Sequence, residues 1–167
     1  MKVLTNAGDI RAALRALEPS SVAVAYVGTD WEKYVSPKHL REIVLSPTLG
    51  TNPKAVEDMM RELGEENVYF LDDLHSKFYF GRDAALLGSC NLTNNGISES
   101  GLFEAAVLLS DVDSLNQLRN QLEQYKQAAK EMYPTVDKKM ACLRKLKEQK
   151  DRYEWYVRPR TAKQPCP

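Results

Sequence analysis

The chain has 167 residues, with 23 Lys+Arg balanced by 23 Asp+Glu, two histidines and three cysteines. A composition of 43% hydrophobic and 28% charged residues excludes a disordered or fibrous chain, and the length suits one domain with its own core. No run reaches the roughly 18 apolar residues of a bilayer span, and the opening MKVLTNAGDI lacks the apolar core of a signal peptide.

In chain order, Asp9 can cap a helix carrying Ile10, Leu14 and Leu17 on one face. Residues 21–27 alternate and are β-branched, which predicts a strand, and residues 40–45 form a second apolar run ended by Ser46-Pro47. Asn52 as cap and Pro53 at the first helical position predict a helix to Leu63, stopped by Gly64. Residues 68–71, 77–80 and 84–87 read as strands in close succession. Asn94-Asn95-Gly96 marks a turn, and a further strand follows over 104–109. Leu115, Leu118, Leu122, Tyr125 and Ala129 then share one face of a helix over 113–132, which Pro134 breaks. A second helix starts near Val136. The pattern predicts an α/β fold, a mixed sheet flanked by helices, with the two C-terminal helices on one side.

Neutrality conceals an uneven distribution. Residues 138–163 hold ten Lys/Arg against three acids, a net +7, which leaves −7 on residues 1–137. A charge run of this kind is ordinarily a solvated helix face, and a basic arm beside an anionic substrate is the alternative. Cys90, Cys142 and Cys166 form no disulfide framework or zinc-ligand spacing, so a reducing, cytoplasmic setting is expected. Tyr69, Phe70, Phe78, Tyr79 and Phe80 read as core. Tyr153, Trp155 and Tyr156 either stack on bases or pack the last helix.

Chemistry concentrates in His75-Ser76-Lys77 and Gly88-Ser89-Cys90-Asn91. Alternate residues of a strand share a face, so His75 and Lys77 point one way, as do Ser89 and Asn91 at the end of the next strand. Adjacent strands then offer one spot an imidazole, an ammonium, a hydroxyl and a carboxamide. Such a set suits an oxyanion whose charge is spread over several oxygens, as in a phosphodiester. It contains no evident metal-ligand set, so the chemistry is expected to need neither metal nor cofactor.

These residues resemble the signature of the phospholipase D superfamily, His-x-Lys followed by Gly-Ser-x-Asn. Here the match is His75-x-Lys77 and Gly88-Ser89-x-Asn91, with Thr93 in the usual following place. The match spans about a quarter of the chain, residues 71–109, and Glu104 sits where many members carry an acidic residue that supports the histidine. One departure is plain: many members have Asp five residues after the lysine, where this chain has Arg82, with Asp83 one residue late. The resemblance divides the chain into a phospholipase D-like unit over 1–134, a basic helix over 135–157 packing on or near it, and a linker or disordered tail over 158–167.

The resemblance implies that His75 attacks phosphorus to give a covalent phosphohistidine, which water releases. Glu104 would orient the imidazole, while Lys77, Asn91 and Ser89 neutralise the phosphoryl oxygens. Thr93 and Asn94 are placed at the substrate. A second histidine usually protonates the leaving oxygen, and His39 has no motif around it. The partner is therefore expected to be a second copy, in a homodimer that joins both His75 side chains in one site.

The family cleaves phosphodiesters of lipids and nucleic acids. A short chain with one motif, a basic segment and no lipid-surface helix favours a DNA endonuclease, with sequence recognition in a further DNA-recognition or helicase domain. The alternatives are a phospholipid phosphodiesterase and a non-catalytic dimerising module of a larger DNA-acting protein.

Overall fold

A computed structural model describes residues 1–98 and 102–157, with side chains as far as 153. Strands β1 (Lys2–Leu4), β2 (Ser21–Val24), β3 (Glu42–Leu45), β4 (Val68–Phe70), β5 (Phe78–Phe80), β6 (Ala85–Gly88) and β7 (Ala106–Leu109) form one sheet. Their order is β1-β7-β6-β5-β2-β3-β4. The β2, β3 and β4 strands are parallel, and every other pairing is antiparallel. Helices α1 (Ala7–Leu17), α2 (Pro53–Leu63), α3 (Asn94–Ile97), α4 (Val112–Met132) and α5 (Val136–Val157) complete the fold. The expected mixed sheet flanked by helices is what forms.

A single row crosses all seven strands in register: Val3, Val107, Leu87, Phe78, Ala23, Val44 and Tyr69. All seven are apolar or aromatic, yet they are not equally covered. The α4 helix lays Leu115, Leu122 and Ala129 over Phe78, Ala23, Val44 and Tyr69 and buries them. At the other end of the row, Val3 is 59% exposed and Leu87 37%. On the opposite face, α1 (Ile10, Leu14, Leu17) and α2 (Ala55, Val56, Met59) pack on Val22, Val24 and Tyr79, and Leu143 of α5 joins that cluster. The C-terminal helices therefore lie on opposite faces, not on one side. Pro134 breaks the helix at the edge of β4, and α5 continues round that edge.

Local chemistry explains the shifted boundaries. Asn6, not Asp9, caps α1: its side chain accepts the Asp9 amide at 2.8 Å and donates to the Asp9 carboxylate at 2.7 Å. Asp111 caps α4, whereas Asn52 and Pro53 open α2 as expected. The strand expected over 21–27 leaves the ladder after Val24, because the Tyr26 amide is taken by a side chain and Val27 pairs instead with Leu92. The predicted 94–96 turn is the start of α3, capped by Thr93. The expected tail over 158–167 and the side chains of Trp155 and Tyr156 lie outside the described residues.

Candidate active site

The topology gathers the motif at one end of the sheet. Because β5 runs against β2, the segment before β5 sits beside the segments that leave β2 and β6 and the one that enters β7. That end is the carboxyl end of the parallel strands, where open α/β sheets place their ligands. His75, Lys77, Ser89, Asn91 and Glu104 all lie on these segments. The backbone also ties them together: Gly88 donates to the Lys77 carbonyl at 3.0 Å and Ser89 to the Ala105 carbonyl at 3.0 Å.

His75 and Lys77 precede β5 and so lie outside the strand on which their common face was expected, whereas Ser76 and Phe78 do turn to the same side. Ser76 hydrogen-bonds the Tyr125 hydroxyl of α4 at 2.6 Å, and Phe78 stacks on the same ring at 6.1 Å between centroids. Tyr79 takes the other face, the side of α1 and α2. His75 is exposed, and its ring has no hydrogen-bond partner among the described residues. Lys77 is buried, and its ammonium donates to the His75 carbonyl at 2.6 Å. Burial pushes the Lys77 pKa down, and the Glu104 carboxylate nearby pulls it back up. A buried cation of this kind is most valuable where an anion arrives to meet it.

Asn91 is held differently. Its side-chain carbonyl accepts the Tyr26 backbone N–H at 3.0 Å, which leaves the amide nitrogen as a donor. Two glycines make this possible by close approach. A Cβ on Gly88 would come within 2.4 Å of the Ala105 carbonyl, and one on Gly96 within 2.5 Å of the Asn91 carbonyl.

Glu104 hydrogen-bonds Ser89, not the His75 imidazole on which the resemblance places it. The register accounts for this, since the Ala105 amide also donates to the Ser89 hydroxyl at 3.1 Å and so sets Glu104 beside it. The oxygens of Thr93 and Asn94 serve the fold: Thr93 accepts the Gly96 amide at 3.1 Å and Asn94 accepts the Tyr34 hydroxyl at 2.6 Å.

Other residues lie far from this end. His39 sits before β3 with Nδ1 3.4 Å from Glu18, and Arg82 and Asp83 are exposed at the β5–β6 turn. Sequence reasoning missed Tyr26 and the second role of Tyr79, whose hydroxyl donates to the Cys90 carbonyl at 2.9 Å and pins the backbone between Ser89 and Asn91. The single polar side-chain atom in Phe78-Tyr79-Phe80 was the available sign. The Cys90 thiol is pushed up to about 12, chiefly by burial, so it is an inert packing group. No helix among the described residues is long and apolar enough to cross a membrane.

No family model matches this sequence, and no curated protein does. Solved structures do share the fold. One is NucT from Helicobacter pylori, with a TM-score of 0.59 and 13% identity over 76% of this chain and 95% of that one. Another is TrmBL2, described as an archaeal chromatin protein with a novel mode of DNA binding, with a TM-score of 0.52 and 12% identity. That match covers 77% of this chain and 53% of TrmBL2.

Proposed function

We propose that this chain is a metal-independent phosphodiesterase that cuts DNA through a covalent phosphohistidine, in a site shared by two copies. One observation carries the reading: His75-x-Lys77 and Ser89-x-Asn91 arrive at the same end of adjacent strands, with the ammonium buried and the carboxamide fixed as a donor. The fold shared with a chromatin protein described as binding DNA supports the choice of substrate. Free Cys90 and Cys142 fit a reducing, cytoplasmic setting.

In this mechanism a ring nitrogen of His75 attacks phosphorus, a P–N bond forms, and the P–O bond to the leaving oxygen breaks. Lys77 and the Asn91 amide meet the charge gathering on the non-bridging oxygens. The leaving oxygen takes a proton from His75 of the second copy. That histidine, now neutral, removes a proton from water, which attacks phosphorus and returns His75 free. Glu104 holds Ser89 and, through its charge, Lys77. Residues 1–134 form the catalytic unit, and α5 supports it.

Two features support the second copy. His39 lies at the wrong end of the sheet to act with His75. The uncovered half of the apolar row, where Val3 and Leu87 are exposed, and the fully exposed Phe103 next to Glu104 offer apolar surface for a second copy to cover.

The test is cleavage of plasmid and oligonucleotide DNA in excess EDTA by wild type and His75→Ala. The expected result is metal-independent cleavage that the variant loses while staying folded and dimeric, with a DNA fragment trapped through its phosphate on the wild-type histidine during turnover. Turnover of a phospholipid but no DNA replaces the substrate. Inactivity on every phosphodiester leaves the dimerising module as the reading.

A further inference from the structure

A groove of about 420 Å³ separates α2 from α5 and is lined by Lys54, Arg61, Lys147 and Lys150 together with Glu57, Asp58 and Asp151. Its position follows from the direction of α5. At the start of that helix, Lys139 donates to the carbonyls of Glu65 and Val68 at 2.6 and 2.7 Å, beyond the C-terminal end of α2. Further along α5, Lys147 and Lys150 lie beside Asn52 and Lys54 at the N-terminal end of α2. The two helices are antiparallel, and α5 climbs back toward the end of the sheet that carries the motif.

Hydrogen bonds connect that end of the groove to the candidate site. The Asn52 amide donates to the Val27 carbonyl at 2.8 Å, and the adjoining Tyr26 amide donates to Asn91. Tyr79, two residues after Lys77, points to the face of the sheet on which α2 packs. Charge is divided in the same sense. The exposed carboxylates Asp72 and Asp73 precede His75 on the stretch that crosses to the α4 side, where Leu74 packs. In the groove, Asp58 is neutralised by Arg61. Arg144, Lys145 and Arg152 add exposed cations along the same part of α5.

We infer that this groove is the track for the DNA strand flanking the scissile phosphate, with Lys54, Lys147 and Lys150 contacting consecutive backbone phosphates. This rests on the phosphodiesterase reading above and extends it from the site to the path of the substrate. A polyanion leaving His75 on the α4 side meets the carboxylates of Asp72 and Asp73, whereas in the groove four cations outnumber three carboxylates, so the field favours the second exit. Residues 138–157, with seven Lys/Arg against three acids, then supply binding charge that the −7 body lacks.

The experiment compares wild type with the triple variant Lys54→Glu/Lys147→Glu/Lys150→Glu, all three positions lying outside the catalytic set. Binding of a fluorescent single-stranded DNA oligonucleotide is measured across a salt series, and turnover is measured on bis(p-nitrophenyl) phosphate, which is too small to reach the groove. The expected result is binding weakened roughly tenfold or more, and a log–log salt slope shallower by about 2 to 3. Turnover of the small diester stays unchanged. Equal binding and an equal slope overturn the track. So does a variant that keeps DNA binding and loses only adsorption to phosphatidylglycerol vesicles. If the triple Glu variant does not fold, the triple Lys→Gln variant decides by the same slope. The binding arm also stands when wild type cleaves no diester at all, which separates a failure of the track from a failure of the enzyme.

Discussion

The Asn91 side-chain carbonyl holds the Tyr26 backbone N–H at 3.0 Å, although β5 lies between the strands that lead to the two residues. The bond sets which end of the carboxamide faces outward, and two substitutions separate its two roles. Asn91→Ala removes both the acceptor for Tyr26 and the outward donor. It is expected to lower the thermal midpoint by about 2–4 °C. The cleavage rate should fall about 10²–10³-fold. Asn91→Asp keeps the acceptor and puts a carboxylate where phosphoryl oxygens arrive. Its midpoint stays near wild type while its rate falls at least as far. Calorimetry and steady-state rates on the same preparations decide it, and an active Asn91→Asp enzyme removes Asn91 from the site.

Lys77 is buried and its pKa is displaced downward, first by desolvation. The sign of the pH effect follows. In the window between the depressed folded pKa and the ordinary lysine value, the unfolded chain binds more protons than the folded one, so stability rises with pH there. Lys77→Met carries no buried charge, so it is expected to melt higher than wild type at pH 7, and the gap is expected to close on the alkaline side. Its cleavage rate falls by about 10² or more, because the fixed cation is gone. A variant less stable than wild type at pH 7 argues that the Lys77–His75 carbonyl bond outweighs the cost of burial.

What could be read in the sequence divides along physical lines. Strands β2, β3 and β4 and helix α2 were legible, because β-branched runs and an Asn-Pro helix start are local properties of the chain, whereas their parallel pairing is not. The motif was legible because His75, Lys77, Ser89 and Asn91 keep fixed spacing at the ends of predicted strands. The β1 strand was not, since Lys2–Leu4 is too short to show alternation and is ordered by pairing with β7. The exit of α5 onto the opposite face was also hidden. It depends on Lys139 reaching the Glu65 and Val68 carbonyls across the sheet edge, and no periodicity in α5 records that contact. The Ser89–Glu104 bond depends on the β6–β7 register, which sequence spacing does not determine.

The uncovered half of the apolar row makes the proposed dimer testable at residues that do no chemistry. Phe103 is fully exposed and Leu87 37% exposed, so replacing them costs the isolated subunit little. Phe103→Asp combined with Leu87→Lys is expected to sediment as a monomer, with the melting temperature changed by less than about 2 °C and DNA cleavage lost. A variant that stays dimeric and active places the second copy on another face.

Gly96 offers a test of how rigidly the site is held. A Cβ there meets the Asn91 carbonyl at 2.5 Å and its amide at 2.9 Å, and both are backbone atoms that cannot swing away. Gly96→Ala is expected to move Asn91 and lower the cleavage rate about tenfold or more. Gly8→Ala is the control, because its nearest contact is the Asn6 side chain at 3.3 Å. Equal rates for the two variants show a site tolerant of backbone shifts at Asn91.

Glu104 has two neighbours whose roles a pair of substitutions separates. It hydrogen-bonds the Ser89 hydroxyl, and its charge opposes the downward displacement of the Lys77 pKa. Glu104→Gln keeps an acceptor for Ser89 and removes the charge, so Lys77 loses its proton at still lower pH. The alkaline limb of kcat/KM is expected to move to lower pH in this variant. Ser89→Ala leaves the carboxylate in place, so the limb should stay where wild type has it, even though the rate falls. The comparison is a pH profile of each enzyme on the same diester substrate. Coincident limbs in wild type and Glu104→Gln show that the group titrating there is not Lys77, and the electrostatic link between Glu104 and the buried ammonium then has no part in turnover.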